Sequence, residues 1–335
     1  MNKAFIKVNS KTTLSDLEAF VQNRDKEQIA NFVFDRLSER YILPLIHVET
    51  QYKNGFNMLA NSCLLIEAYE TFRSGNIGKT NSQSAFENFF KREELFKSME
   101  KYSVEFYKHV RCGILHQGET TGNWRITRKN NTELFHDFVI NANVFLDSLK
   151  QVLFNYKQEL IQAEWEDRIW VNCLRKVNQI LLNCSVYYFA YGSNMNLRRL
   201  EERVGKNIVR LAGKALLKDY ELKFNKLKSD ESGAANVMQN RYSNVEGLLY
   251  EFDPSNSTFL EKLDRYEGVR SKDYIRKLMG VEIDGIEVLA YVYVAHRDKI
   301  EDGILPSKEY LAHLLCAKDY LSESYFSTLL NQRTQ

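Results

Sequence analysis

The sequence predicts an α+β chain of two domains: an all-α helical bundle over residues 1–184, then a mixed α/β small barrel over residues 185–335. Three observations carry this expectation. A chain of 335 residues exceeds the usual single-domain length. Residues 1–185 hold one proline, Pro44, and six glycines, whereas the shorter remainder holds two prolines and nine glycines, so turn-forming residues thicken toward the C-terminus. Apolar residues also recur at helical spacing in the first half and in short β-rich runs in the second.

In the first half, Phe56, Leu59, Cys63, Ile66 and Glu70 follow three-four spacing, as do Tyr107, Val110 and Ile114. Helices are expected near 14–23, 26–40, 45–73, 84–110, 132–156 and 158–182, the last of helical length with no breaker. In the second half strands are expected at 186–190, 214–224, 235–239, 245–252, 274–283 and 287–295, several bounded by Gly, Asp or Asn. Helices fall near 196–204, 255–265 and 307–322. Six strands with few helices suit a small barrel.

A net charge of +2 with 27% charged residues gives no global basic excess that would mark a nucleic-acid binder, although a local patch remains open. Hydrophobic residues at 44% suffice to fill two cores. The cysteines at 63, 112, 173, 184 and 316 have no metal-ligand spacing, and their odd number argues against a disulfide framework, so they read as reduced thiols, mostly core fillers. The first twenty residues lack a signal-type apolar run, and no apolar stretch reaches about 18 residues. A cytoplasmic protein without membrane association is therefore expected.

The run YYFAYGSNM at 187–195 is the first chemical signal. A buried strand stops at Tyr191-Gly192-Ser193-Asn194 and passes straight into a helical pattern. Such a corner turns several backbone N–H groups toward one spot, which attracts anions. Gly192 permits close backbone approach, and the helix start adds partial positive charge. Taken alone, the same residues also make an ordinary turn. Glu261, Asp264 and Glu267, spaced by three, likewise read alone as one charged face at a helix end.

The neighbouring motifs change both readings. FAYGSNM at 189–195, YELKFNK at 220–226, GAANV at 233–237, VEGLLYE at 245–251, LDRYEGV at 263–269, Tyr274 with Arg276, AYVYVA at 290–295 and PSKEYL at 306–311 occur in one order. In that order and spacing, residues 186–330 resemble the γ-glutamylcyclotransferase-like family almost throughout. The resemblance implies a reaction needing no metal or cofactor, in which the α-amino group of a small γ-glutamyl substrate attacks its own γ-carbonyl. The products are 5-oxoproline and a free amine or amino acid. Glu267 then stands at the acid/base position, and Tyr191, Gly192, Ser193 and Asn194 supply the anion cradle. Tyr310 corresponds to a tyrosine near the substrate, although it reads equally as a core aromatic, and Tyr188 carries a weaker signal. A free Glu near 4.3 facing an α-amino group near 8 is mismatched by about 3.5 units, roughly 5 kcal/mol. Glu267 must therefore be partly desolvated, with Tyr266 beside it and other aromatic residues expected to do this. The competing reading is a sensor that binds a γ-glutamyl ligand without turnover; the acid at 267 argues against it.

In the first half, Arg111 followed by four residues and His116 resembles the motif of HEPN domains, helical bundles of which many are metal-independent endoribonucleases. The resemblance implies that Arg111 holds a phosphate and His116 acts as acid/base on RNA, within a homodimer that lines one cleft with two copies of the motif. A five-residue step turns about 140° on a helix, so a shared face needs distortion, which Gly113 and Gly118 make available. Asn57, Asn61 and Glu67 on the 45–73 helix supply polar neighbours. Arg125, Arg128 and Lys129 with Trp124 form a basic-aromatic cluster that suits RNA, or else a solvated loop. The chain is thus expected to join a toxin or defence effector to a γ-glutamyl-processing enzyme. The alternative for the first domain is a dimerisation scaffold. His47, His109, His136, His296 and His313 have no partner pattern and read as structural or exposed.

Overall fold

A computed structural model describes residues 6–46, 53–76, 82–129, 133–253 and 257–335. The chain divides into two compact units, one ending at Leu181 and the other running from Leu182 to Gln335.

The first unit is mainly helical. Helix α1 (Leu14–Gln22) opens on a reciprocal cap between Thr13 and Asp16, and α2 (Lys26–Tyr41) on Asp25, whose carboxylate accepts from the Gln28 amide. Short α3 (Leu43–Ile46) is followed by α4 (Gly55–Ser74), which ends at Gly75 in the left-handed conformation. The single helix expected over 45–73 is thus two helices, and its 47–52 portion lies outside the described residues, as does His47.

The helix expected over 84–110 is also broken. Helix α5 (Ser82–Arg92) stops where Glu93 turns extended, a 3-10 run covers Glu94–Tyr102, and α6 (Ser103–Phe106) leads through a π-helical turn at Tyr107–Arg111 into α7 (Cys112–Gln117). Burial explains the change of helix type. Phe86, Phe89 and Phe90 from α5, Phe96 from the 3-10 run and Phe106 from α6 all reach one fully buried aromatic core. Phe106 stacks on Phe145 with ring centroids 5.7 Å apart and planes inclined by 2°.

This unit is not all-α. Strands β1 (Arg125–Thr127), β2 (Phe135–His136) and β3 (Val139–Asn141) form a small sheet in the order β1-β3-β2. The helix expected from 132 begins only at α8 (Ala142–Gln162), because Asp137 and Phe138 adopt positive φ and turn β2 into β3. Asn141 then caps α8 with its side chain. A turn over residues 163–167 separates α8 from α9 (Arg168–Asn183), and in it the Asp167 carboxylate accepts from the Glu164 amide at 2.9 Å.

The second unit contains a closed five-stranded barrel in the order β4-β6-β5-β7-β8. Its elements are β4 (Val186–Ala190), a 3-10 turn at Ser193–Met195, α10 (Leu197–Val204), β5 (Val209–Leu227), β6 (Gly233–Phe252), α11 (Ser257–Tyr266), β7 (Tyr274–Ile283), β8 (Ile286–Ala295), α12 (Lys308–Leu315) and α13 (Glu323–Leu330). Strand β4 closes the barrel by running parallel to β8, while the other pairs are antiparallel.

Five strands replace the six expected, because β6 spans two of the predicted runs. Its ladder to β5 passes from the Lys218–Asn244 pair to the Tyr220–Gln239 pair and leaves 240–243 looped out. That segment, Asn-Arg-Tyr-Ser, is polar at its ends and exposes Tyr242, so the sequence reads as a break in a strand that continues beyond it. The helix expected over 307–322 ends at Leu315, and α13 is additional, capped by Ser322. Of the five cysteines only Cys63 and Cys173 are buried, which corrects the reading of most as core fillers; all five are free thiols. Among the described residues no helix is long and apolar enough to cross a membrane.

Candidate active site

Glu267 follows directly on the last turn of α11, its amide donating to the Leu263 carbonyl at 2.9 Å. Gly268 ends the helix with φ of +61°, and a Cβ there would meet Asp273 and Ser271, so the chain turns tightly away and leaves the Glu267 side chain at the barrel. Its Oε1 accepts from Asn194 Nδ2 at 2.9 Å and from Arg203 Nη1 at 3.1 Å. Asn194 comes from the corner after β4 and Arg203 from α10, so three separate segments meet at one carboxylate oxygen.

Burial pushes the Glu267 carboxyl above the ordinary glutamate range; Arg203, the Asn194 hydrogen bond, Arg199 and Lys226 pull it down but do not cancel the burial. The position beside a helix C-terminus further disfavours negative charge. Tyr266 does not supply the desolvation expected of it. It is more than half exposed, with the Arg203 guanidinium over its ring at 5.5 Å. Tyr188, Tyr191, Tyr274, Tyr293 and Tyr310 line the cavity with Glu267 instead.

Tyr191, Gly192, Ser193 and Asn194 line that same cavity. The corner is also packed against Tyr310: a Cβ at Gly192 would lie 3.0 Å from the Tyr310 hydroxyl and 3.1 Å from Ala235 Cβ. The Tyr191 hydroxyl donates to the Tyr293 carbonyl, and Asn194 Nδ2 also donates to the Tyr188 hydroxyl at 2.7 Å. Burial pushes Tyr188, Tyr191, Tyr274 and Tyr310 upward, so near neutral pH these phenols remain protonated and act as hydrogen-bonding walls.

Ala235 contributes through its backbone. The β5–β6 register shifts between Lys223 and Lys226, and Ala235 falls in the skipped step. A bulge of this kind frees backbone polar groups from the ladder. The Ala235 amide donates to the Tyr310 hydroxyl at 3.0 Å, and its carbonyl accepts from the Tyr274 hydroxyl at 2.7 Å. The Ser193 amide also faces the Tyr310 oxygen and favours its anionic form.

The inner cavity measures about 30 Å³, room for one or two waters. It shares Ser193, Glu267, Tyr274 and Tyr310 with an outer vestibule of about 410 Å³. Chemically, the arrangement offers a proton-accepting group of raised pKa, buried phenols and two amides converging on one point.

Of the residues expected from the sequence, the structure therefore gathers Glu267, Tyr191, Gly192, Ser193, Asn194 and Tyr310. Sequence reasoning missed Arg203 and Ala235. Arg203 sits three residues after buried Leu200 and beside buried Val204 on α10, a position that faces inward and marks a charge as more than surface decoration.

Arg111 and His116 are not brought together in the same way. Between them α7 is regular, so the two positions project about 140° apart, and the π-helical distortion ends at Arg111 rather than falling at Gly113 or Gly118. Arg111 Nε donates to Glu67 Oε1 at 2.8 Å, whereas His116 is exposed. Trp124 is not available to stack on RNA: it is 3% exposed and packs on Phe106, Phe135, Phe138 and Tyr102. Arg128 is half-buried and donates to Asn54, while Arg125 and Lys129 are exposed. Of the features behind the HEPN resemblance, the Arg111–His116 spacing and the polar neighbour Glu67 remain, while the aromatic part of the basic cluster is buried.

Several solved structures are similar to part of this chain. One described as a gamma-glutamyl cyclotransferase is 27% identical, covering 45% of this chain and 89% of its own, with a TM-score of 0.41. An uncharacterized protein from Homo sapiens gives the same identity, coverage and TM-score. YkqA from Bacillus subtilis is 26% identical, covering 45% of this chain and 56% of its own, with a TM-score of 0.39. No curated protein matches the chain. Residues 188–312, in the C-terminal region, match the family described as "Gamma-glutamyl cyclotransferase, AIG2-like".

Proposed function

We propose that residues 185–335 form a γ-glutamylcyclotransferase-like enzyme that cyclises a γ-glutamyl compound to 5-oxoproline and releases an amine or amino acid. The observation that carries this reading is the largely buried carboxyl of Glu267, its side chain 14% exposed and its pKa raised, on one cavity with the corner at 191–194. Glu267, as the carboxylate, takes a proton from the neutral substrate α-amino group as its nitrogen attacks the γ-carbonyl carbon. A C–N bond forms and the carbonyl oxygen becomes an oxyanion, for which the Tyr310 hydroxyl, itself an acceptor for the Ala235 amide, is a donor on the cavity wall. Glu267 returns the proton to the leaving nitrogen as the original amide bond breaks. The inner cavity accommodates only the reacting groups, so the rest of the substrate extends into the vestibule.

Incubation with a panel of γ-glutamyl amino acids and γ-glutamyl amines tests this, with 5-oxoproline as the readout. Release by the wild type and its loss in Glu267→Gln with the fold retained is the expected result. Binding without any 5-oxoproline leaves a ligand sensor in place of an enzyme.

A second reading attaches to the helical region. Arg111 is held by Glu67 and His116 is solvent-facing, so an RNA-cleaving pair would have to form between two copies, with the imidazole of one beside the guanidinium of the other. Total cellular RNA incubated with wild type and His116→Ala tests it. Equal cleavage, or none from either, leaves a dimerisation scaffold.

A further inference from the structure

The vestibule outside Glu267 is lined by four cationic side chains, three of which have carboxylate partners. Arg203 lies 3.1 Å from Glu267, Lys226 lies 2.8 Å from Asp273, and Lys228 lies 2.7 Å from Asp230. Arg199 is different. Among the described residues it makes no ion pair, and its Nε is buried without a hydrogen-bond partner.

The groups around it make the shortage of acceptors worse. Arg199 Nη1 lies 3.2 Å from His313 Nε2, and Asn196 Nδ2 lies 3.2 Å from His313 Nδ1. A neutral imidazole accepts at one nitrogen and donates from the other, so it cannot satisfy donors at both. Reversing the Asn196 amide does not resolve this, because its Oδ1 is already the acceptor for the Arg199 backbone amide that starts α10. One N–H therefore faces another N–H whichever tautomer His313 adopts. Burial with Arg199 and Arg203 nearby also pulls the His313 pKa down. His313, which the sequence left without a role, belongs to a cluster rich in donors and short of acceptors on the vestibule wall. Glu309 lines the same space but is exposed.

We infer that Arg199 and His313 form a subsite for a carboxylate on the amine-bearing half of the substrate, so that the chain prefers γ-glutamyl-α-amino acids to γ-glutamyl amines. An anionic oxygen there accepts from the Arg199 guanidinium and the imidazole N–H, and it supplies the close carboxylate partner that Arg199 lacks among the described residues. This inference rests on the cyclotransferase reading for the identity of the glutamyl half, and it adds which leaving group the vestibule selects.

The test compares γ-glutamyl-alanine with γ-glutamyl-ethylamine, which differ by one carboxylate. Wild type is expected to favour γ-glutamyl-alanine in kcat/KM by roughly ten- to a hundredfold, the scale of a charge-assisted hydrogen bond. Arg199→Gln, which keeps a long polar side chain on α10, brings the ratio near one, and Arg199→Lys restores part of it. Isothermal titration of both compounds into the intact chain gives a readout that does not need turnover. If neither compound is cyclised but γ-glutamyl-alanine alone binds in an Arg199-dependent way, the catalytic reading fails and the subsite stands. Equal turnover with equal binding of the two compounds, or no binding of either, overturns the subsite.

Discussion

Asn194 holds Glu267 by one end of its amide and Arg203 by the other: Nδ2 donates to Glu267 Oε1 at 2.9 Å, and Oδ1 accepts from Arg203 Nη1 at 2.8 Å. Reversing the amide would set oxygen against carboxylate and nitrogen against guanidinium, so the neighbours determine its orientation. Asn194→Asp should therefore act on proton transfer more than on shape. It removes a donor from Glu267, places a second carboxylate beside it and competes for Arg203, and all three changes raise the Glu267 pKa. The acid limb of the kcat/KM profile should move to higher pH, with activity near neutrality falling. An acid limb at the wild-type pH would mean that Glu267 is not the group titrating there.

The raised Glu267 pKa also has a consequence for stability. Above the unfolded value, near 4.5, the folded chain keeps a proton that the unfolded chain releases. The contribution of this carboxyl is thus complete below that value and is lost as pH rises through the folded pKa. Glu267→Gln stays neutral throughout and can still accept from Asn194 and Arg203. Its Tm at pH 8 should equal or exceed that of the wild type, while kcat falls by roughly 10²- to 10⁴-fold. Thermal melts across pH check the first part; a variant that becomes relatively less stable as pH rises contradicts the burial argument.

Tyr310 should be felt both in stability and in activity. Its oxygen is the acceptor for the Ala235 amide, which the β5–β6 bulge leaves outside the strand ladder. Tyr310→Phe strands that buried N–H and should cost about 1–3 kcal/mol. Gly192→Ala pushes on the same hydroxyl from the other side, since the added Cβ would sit 3.0 Å from it. The phenol must give by a few tenths of an ångström, and kcat/KM should fall on the order of tenfold through misplacement of the reacting groups. Chemical denaturation separates the two variants, because Gly192→Ala should lose more activity than stability.

How much of this was legible in the sequence depended on how local each signal was. The corner at 191–194 and the acid at 267 were readable because each lies within a short contiguous motif. Their meeting at Asn194 was not visible in either motif, because it spans β4, α10 and the end of α11. Arg203 looked like an ordinary charged residue of an amphipathic helix, and Ala235 has no polar side chain to mark it; its part in the site comes from a bulge, which only strand pairing reveals. In the helical region, period counting placed α1 and α2 well but ran through the breaks after Arg92 and Gln162. Those breaks are set by which aromatic side chains the core admits and by turn geometry at residues with no proline to announce it.

Trp124 provides a direct contrast between the cluster as read from sequence and as folded. The sequence places an aromatic ring among Arg125, Arg128 and Lys129, a composition suited to stacking on a base. In the structure the ring is buried, stacked on Phe135 at 5.3 Å and edge-on to Phe106 at 5.9 Å, so it joins the small sheet to the aromatic core. Trp124→Ala should therefore destabilise the helical region by about 3–5 kcal/mol, the range for emptying a buried aromatic site. Arg125→Ala, at an exposed position one residue along, should leave its melting unchanged while removing one cation from any RNA contact. Thermal melts and a salt-dependent RNA-binding titration on both variants separate the two roles. Wild-type stability in Trp124→Ala, together with weakened RNA binding, would restore the surface-stacking reading.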